Sequence, residues 1–187
     1  MRNGFTLIEF LMTAAILIIL MTLAVPTMTE ARMHYNVFDV ISSLKQDLSY
    51  ARHIGLAQGQ RVTLCPLDNS QKCSKNWQTG YRIFIDSGKL GEFEATTDTL
   101  LKAGKLPLNQ GALSYTGGKY LTFDATGMLD SASGTFQYCH NQDKTGLYSK
   151  AVIINLNGRI RESSDIDNDG YHEKSISNMN SDLRCET

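Results

Sequence analysis

An acidic stretch near the carboxyl end of the chain has the residue types and spacing of a calcium-binding loop. The oxygen donors at positions one, three, five, seven and nine would be Asp165, Asp167, Asp169, the backbone carbonyl of Tyr171, and Glu173. Gly170 stands at position six, where such loops turn sharply. Position twelve holds Ile176 in place of the usual bidentate glutamate, and no helical pattern flanks the stretch. The sequence is therefore consistent with a Ca²⁺ site or with a hydrophilic acidic turn.

A pair of arginines just upstream could bind phosphate oxygens. Asn157-Gly158 is typical of a two-residue type I′ hairpin turn, in which both central residues have positive φ. In the strand that follows, Arg159 and Arg161 would lie on one face, where two guanidinium groups side by side suit an anionic backbone. The alternative is that these arginines are solvated or pair with the nearby acids Glu162 and Asp165.

One carboxylate lies in an apolar segment at the start of the chain. Glu9 is the only charged residue among the 21 residues from Phe5 to Val25. As a helix these residues would be roughly 30 Å long, enough to cross a bilayer, and Pro26 is the first helix breaker. An ionised group in lipid costs a few kcal/mol and normally has a partner. The segment suits a signal anchor with a shallow Glu9 better than a cleaved signal peptide.

The four cysteines all lie outside the apolar segment and predict two disulfides in an oxidising compartment. Zinc is a weaker alternative because no CxxC pair occurs. Of the three possible pairings we favour Cys65–Cys73 with Cys139–Cys185, since the first two are close in sequence.

Charge and motif content argue against several functional classes. With 18 basic and 19 acidic residues, the net charge of −1 gives no overall attraction to nucleic acid or anionic lipid. The four histidines are scattered, and the sequence has neither a Gly-x-Ser-x-Gly elbow nor a glycine-rich phosphate loop. We therefore predict a protein that is not an enzyme.

The pattern changes from apolar to amphipathic between residues 27 and 56. A helical stripe of three- and four-residue steps is predicted at Tyr35, Phe38, Ile41, Leu44, Leu48, Ala51 and Ile54. The other faces carry Glu30, Arg32, Asp39, Lys45, Asp47 and Arg52. The stretch is either a second helix or a continuation of the first beyond Pro26.

Short β-rich runs follow the helix. Strands are predicted at 60–65, 77–86, 100–103, 112–115, 120–123, 135–138, 151–156 and 159–161. The fold class is thus α+β, with one long N-terminal helix packed on an antiparallel sheet. Trp77, the only tryptophan, is expected at the edge of the core, with ligand stacking as the alternative.

Two sets of motifs resemble a known family. The sequence Gly4-Phe5-Thr6-Leu7-Ile8-Glu9 after a short basic leader resembles the class III signal of type IV prepilins. The cysteine-bounded loop 65–73 followed by Trp-x-x-Gly-Tyr-x-x-Phe-x-Asp resembles the head domain of the GspH/FimT/FimU minor pilins and pseudopilins. Residues 123–127, 136–139 and 152–161 continue the resemblance in the same order.

The resemblance implies how the N-terminal segment is processed and used. Prepilin peptidase would cut after Gly4 and methylate the new N-terminus at Phe5, and pilin helices carry a proline at the place of Pro26. The implied organisation is a leader (1–4), a transmembrane and filament-core helix (5–26), its amphipathic half (27–57) and a β-rich head (58–187). In a filament, Glu9 would pair with the N-terminal amine of a neighbouring subunit.

The resemblance also implies partners and a location. The protein would be a minor type IV pilin of a tip or priming complex, with a type II secretion pseudopilin as the alternative. Its partners would be other minor and major pilins, prepilin peptidase and the inner-membrane assembly platform. It would cross the inner membrane once, with its head in the periplasm, before joining a pilus or pseudopilus. In some FimT-like pilins a Gly-Arg-x-Arg motif is associated with DNA capture, so Arg159 and Arg161 could bind DNA.

Overall fold

A single helix dominates the N-terminal third of the chain. The computed structural model describes residues 6–104 and 110–185, with side chains at 23–27 and 179 excepted. Helix α1 spans Leu7–Gln58, so of the two alternatives left open by the sequence the structure shows the continuation of the first helix beyond position 26. Thr6 caps its start, and Gly59, with φ of 63°, ends it in the left-handed region that favours glycine.

The second half of α1 buries one stripe in the head, although not the one expected at its beginning. Ile41, Leu44, Leu48 and Ala51 are buried and Ile54 packs partly against the same core, as predicted. Tyr35 and Phe38, in contrast, are 72% and 53% exposed. The helix meets the head through Val37 and Val40 instead. Helical periodicity predicts which residues share a face, but it does not say where the sheets lie against the helix. The position of the sheets decides which residues are buried at the head boundary, so the buried stripe there is rotated from the predicted one.

The strands are short, as predicted, and two more appear near the carboxyl end. Their bounds are β1 Val62–Cys65, β2 Tyr81–Ile85, β3 Thr99–Gly104, β4 Gly111–Tyr115, β5 Leu121–Phe123, β6 Gly134–His140, β7 Lys150–Ile154, β8 Ile160–Glu162, β9 Glu173–Ser175 and β10 Asn178–Asp182. The strand expected from residue 77 begins only at Tyr81, because Trp77–Thr79 form a turn of 3₁₀ helix. Strands β9 and β10 were missed because their residues are almost all polar.

The described strands form three antiparallel sheets. The first four-stranded sheet has the order β3-β2-β1-β5, and the second has the order β4-β6-β7-β8. Strands β9 and β10 pair as a separate hairpin. Helix α1 packs against β1 and β5 of the first sheet and β6, β7 and β8 of the second. The helix is therefore the common support of both sheets, which is the expected α+β arrangement.

The only tryptophan lies within the main core rather than at its edge. Trp77 is 2% exposed and makes edge-on contacts with Phe136 and Tyr115 at centroid distances of 4.8 and 5.3 Å. Tyr115 and Phe136 stack on each other at 4.1 Å. Aromatic contacts of this kind add to the stability gained by burial. The alternative of a ligand-stacking tryptophan has no support from this packing.

Candidate functional site

The N-terminal part of α1 carries a row of apolar side chains outside the head. Among the side chains of this part that the structure describes, eleven large apolar ones are between 54% and 78% accessible: Leu7, Ile8, Phe10, Leu11, Met12, Ile16, Leu17, Ile18, Ile19, Leu20 and Met21. Such a continuous apolar surface marks a contact surface. Within the part of the chain that the structure describes, no helix is long and apolar enough to cross a membrane. The predicted processing site at Gly4 and Phe5 lies outside the described residues.

Glu9 completes the capping box at the start of α1. Its Oε2 accepts hydrogen bonds at 3.0 Å from both the backbone N–H and the hydroxyl of Thr6. The hydroxyl of Thr6 in turn accepts from the N–H of Glu9 at 3.4 Å, which completes a capping box. The carboxylate is therefore held at the first turn, where its charge also interacts favourably with the helix dipole.

Polar contacts fix the orientation of the helix on the head. Tyr138 donates its hydroxyl hydrogen to Oδ1 of Asn36 at 2.7 Å. Lys45 pairs with Glu162 of β8 at 2.7 Å, and Nε of Arg52 donates to the carbonyl oxygen of Gly127 at 2.9 Å. These bonds come from three well-separated turns of α1, so they set both its register and its rotation against the sheets.

Both favoured disulfides are present, and no described cysteine is free. Cys65–Cys73 closes the loop after β1, and its two residues pack with Phe84 in a small cluster. Cys139–Cys185 links β6 to the last described residue, across a sequence separation of 46. With their sulfurs paired in this way, the cysteines are not zinc ligands.

The turn before the arginines differs from the expected type. Gly158 has φ of 74°, as a type I′ turn requires, but the φ of Asn157 is not positive. The N–H of Gly158 bonds to the carbonyl of Asn155 at 2.9 Å, and Asn155 N–H bonds to Arg159 at 3.2 Å. This is the pattern of a three-residue hairpin with a left-handed glycine. The prediction of a two-residue type I′ turn is wrong because the loop between Asn155 and Arg159 contains three residues.

The two arginines have different surroundings. Arg161 donates to the carbonyl oxygen of Glu162 at 3.4 Å and also to that of Lys174, so its guanidinium is bound to the protein. Arg159 is exposed and lines a surface hollow of about 530 Å³ together with Arg52 and His53 of α1. Sequence analysis did not find this basic hollow, since its members come from distant parts of the chain.

The acidic loop brings its predicted side chains together. One ligand oxygen from each of Asp165, Asp167, Asp169 and Glu173 lies within 4.8 Å of the others. Glu173 is fully buried at the start of β9, whereas Asp167 and Asp169 are exposed. Gly170 has φ of 93°, the left-handed turn expected at position six.

The fold and its projecting apolar helix define a pilin-like subunit. A family model for the type II transport protein GspH matches residues 41–158, which is more than half of the chain. The chain belongs to this GspH family. The match includes the head-facing part of α1 and strands β1 to β7, while the arginines and the acidic loop lie beyond it.

Solved structures with the same fold are available for comparison. The type IV minor pilin FimU of Pseudomonas aeruginosa strain PAO1, in two crystal forms, matches with TM-scores of 0.56 and 0.52 at 22% identity. The alignments cover 75% and 72% of this chain and 94% and 95% of FimU. No curated protein shows significant sequence similarity to the chain. The likeness to FimU establishes the pilin fold for most of the molecule.

Proposed function

We propose that the protein is a minor type IV pilin that enters a filament through the N-terminal part of α1. The observation that carries this proposal is the row of exposed apolar side chains between Leu7 and Met21. Burying apolar surface is worth about 25 cal/mol for each Å². A surface of this extent therefore favours a partner, first the lipid of the inner membrane and then the helices of neighbouring subunits.

The arrangement of the head agrees with a periplasmic and then filament-borne location. The two disulfides form in an oxidising compartment. The buried residues of α1 begin at Val37, whereas its large apolar side chains from Leu7 to Met21 are exposed and can pack between other subunits. We place the protein in a tip or priming complex, after prepilin peptidase has removed residues 1–4 and methylated Phe5.

Glu9 would give the assembled helices their register. In the isolated chain its carboxylate is bound by Thr6 of the same helix, where it is exposed to solvent. In an apolar filament core an ionised carboxylate needs a positive partner, and the N-terminal amine of the next subunit has the right charge. The pair would specify axial position more than it would add stability.

Substitutions at position 9 can separate this charge from the capping role. Glu9→Gln keeps the side-chain acceptor of a capping box but removes the charge, whereas Glu9→Leu removes both. We expect both variants to be inserted and processed, and both to be lost from purified filaments by at least tenfold. The matched control is Glu30→Gln, which removes an exposed carboxylate from the same helix. Normal incorporation of Glu9→Leu would contradict the proposal. Normal incorporation of Glu9→Gln together with loss of Glu9→Leu would show that Glu9 acts through its capping bond and not through its charge.

A second candidate is a minor pseudopilin of a type II secretion system. The description of the matching family, a type II transport protein, favours it. The two candidates use the same helix and the same assembly principle, so deletion of the gene distinguishes them. Loss of piliation and twitching with intact secretion supports the pilus, and loss of secretion with intact pili supports the pseudopilus.

A further inference from the structure

The acidic loop between β8 and β9 contains buried carboxylate oxygens without a partner. Glu173 has no exposed surface, and its Oε1 makes no hydrogen bond to any described residue. Oδ1 of Asp165 is likewise buried and unpaired. Leaving a buried charged oxygen unsatisfied is costly, so such groups normally hold a proton donor or a metal ion.

The second oxygen of each carboxylate is used to shape the loop. Oε2 of Glu173 accepts from the N–H of Ile166 at 2.9 Å, and Oδ2 of Asp165 accepts from the N–H of Gly170 at 3.1 Å. Asp167 and Asp169 accept in the same way from backbone N–H groups two residues later. The backbone therefore fixes the direction of each carboxylate, and Asp165 and Glu173, each with one oxygen left without a partner, both belong to the acidic cluster.

We propose that this loop binds one Ca²⁺ ion through Asp165, Asp167, Asp169 and Glu173. Oxygens bound to Ca²⁺ at 2.3–2.6 Å can be no more than about 5 Å apart across the ion. The four oxygens, within 4.8 Å of one another, fit inside that shell. An all-oxygen donor set with several carboxylates is typical of Ca²⁺, whereas Zn²⁺ takes nitrogen and sulfur readily and Mg²⁺ keeps several of its waters.

The glutamate at position nine replaces the missing one at position twelve. Ile176, at position twelve, is exposed beyond the end of β9, so it is not directed to the loop interior. Glu173 opens β9 and is buried, which places its carboxylate in the acidic cluster. The backbone carbonyl of Tyr171 stands at position seven and is available as a further ligand of the same ion.

The ion would hold the carboxyl-terminal segment against the head. Glu173 connects the loop to the β9–β10 hairpin, and the N–H of Leu183 bonds to the carbonyl of His172 at 2.8 Å. Arg184 lies over the ring of Tyr171 at 3.6 Å, next to the disulfide at Cys185. The Ca²⁺ site and the disulfide therefore fix the same segment at two points, and this role does not depend on which filament the protein joins.

Calcium titration of the full-length protein in detergent, after removal of divalent ions with chelator, tests the site. We expect isothermal titration calorimetry to show one ion per chain, with at least a tenfold loss of affinity in Asp167→Ala and Glu173→Gln. Alanine is used at position 167 because asparagine would keep a side-chain oxygen that Ca²⁺ can bind. Asp167 is exposed, so its variant folds even if the buried Glu173→Gln does not. Asp130→Ala, at an exposed carboxylate elsewhere on the head, is the matched control. Unchanged affinity in Asp167→Ala would overturn the assignment.

Thermal unfolding gives an independent readout. Calcium raises the unfolding midpoint of a protein that binds it only when folded, by an amount that grows with ion concentration. We expect a calcium-dependent rise in the parent and in Asp130→Ala but not in Asp167→Ala. Equal midpoints in calcium and in chelator would overturn the site, and an equal response to magnesium would overturn its assignment to calcium.

Discussion

The hydroxyl of Tyr81 donates a hydrogen bond to Oδ2 of Asp47 at 2.7 Å and so joins β2 to the C-terminal half of α1. Both residues are buried, Asp47 being only 5% exposed, and Lys102 of β3 pairs with the other carboxylate oxygen. Burial, together with the bond to Asp47, raises the pKa of Tyr81 well above its usual range. The tyrosine therefore remains a donor at any physiological pH, and a buried carboxylate is satisfied from two strands.

Removing this hydroxyl should loosen the helix from the first sheet. We expect Tyr81→Phe to lower the free energy of unfolding by about 1–3 kcal/mol, because a buried carboxylate oxygen loses its donor. Chemical denaturation of the protein in detergent measures the change. Tyr120→Phe removes a hydroxyl that makes no hydrogen bond to the described residues and is the matched control. Equal stability of Tyr81→Phe and the parent would contradict this account.

The two disulfides should contribute unequally to stability. In the chain-entropy model Cys139–Cys185, with a sequence separation of 46, is worth about 4 kcal/mol, and Cys65–Cys73, with a separation of 8, about 2.6 kcal/mol. We expect the Cys139→Ser/Cys185→Ser double variant to be the less stable of the two double variants in denaturant. The reverse order would show that packing around Cys65 outweighs loop closure. Mapping of a non-reduced digest checks the pairing itself.

The elements of the fold that depend on local pattern could be predicted from the sequence. The helix, most strands and the disulfide pairing follow from periodicity, turn residues and cysteine spacing. Asp47 was assigned to a polar face of the helix because periodicity places residues around the axis but does not say which neighbour supplies a donor. The hollow formed by Arg52, His53 and Arg159 depends on the docking of the hairpin onto α1. Such relationships are tertiary and leave no local signal.

Acidification should destabilise the head through His140. This residue is buried, Gln142 N–H donates to its Nδ1 at 3.2 Å, and its Nε2 lies 3.4 Å from Oε1 of Gln110. Burial lowers the pKa of His140 below its usual 6.5, and the nearby Asp143 opposes this only in part. The unfolded chain then binds the proton at a higher pH than the folded protein does. Stability is therefore fully present above about pH 6.5 and falls as the pH drops toward the folded-state pKa.

The loss of folding free energy at low pH is about 1.4 kcal/mol for each unit by which the pKa of His140 in the folded protein lies below its pKa in the unfolded chain. Urea unfolding between pH 7.5 and pH 5, taken as approximate limits around the usual histidine pKa, measures it. We expect His140→Gln to remove most of the dependence in the upper part of that range, since glutamine does not titrate. His53→Gln, in the exposed hollow beside Arg159, serves as the control. An unchanged pH dependence in His140→Gln would show that other groups carry the proton uptake.

The DNA-binding hypothesis can be tested one arginine at a time, because the structure gives the two arginines different surroundings. Arg159 is exposed beside Arg52 and His53, whereas Arg161 is bound to backbone carbonyls. If the head captures DNA, electrophoretic shifts should show binding by the parent that weakens as salt is added. Arg159→Ala should weaken this binding about equally for all DNA sequences and should reduce the slope of log affinity against log salt concentration by about one.

Arg161→Ala should instead act mainly on stability, since its guanidinium ties β8 to the carbonyl of Lys174. Lys119→Ala removes an exposed positive charge elsewhere on the head and controls for general charge effects. Comparing these variants separates a phosphate contact from a structural bond, because a phosphate contact changes the salt slope and a structural bond changes the unfolding midpoint. Absence of salt-sensitive binding in the parent would exclude DNA capture by this surface, and an equal loss in Lys119→Ala would assign the binding to overall charge.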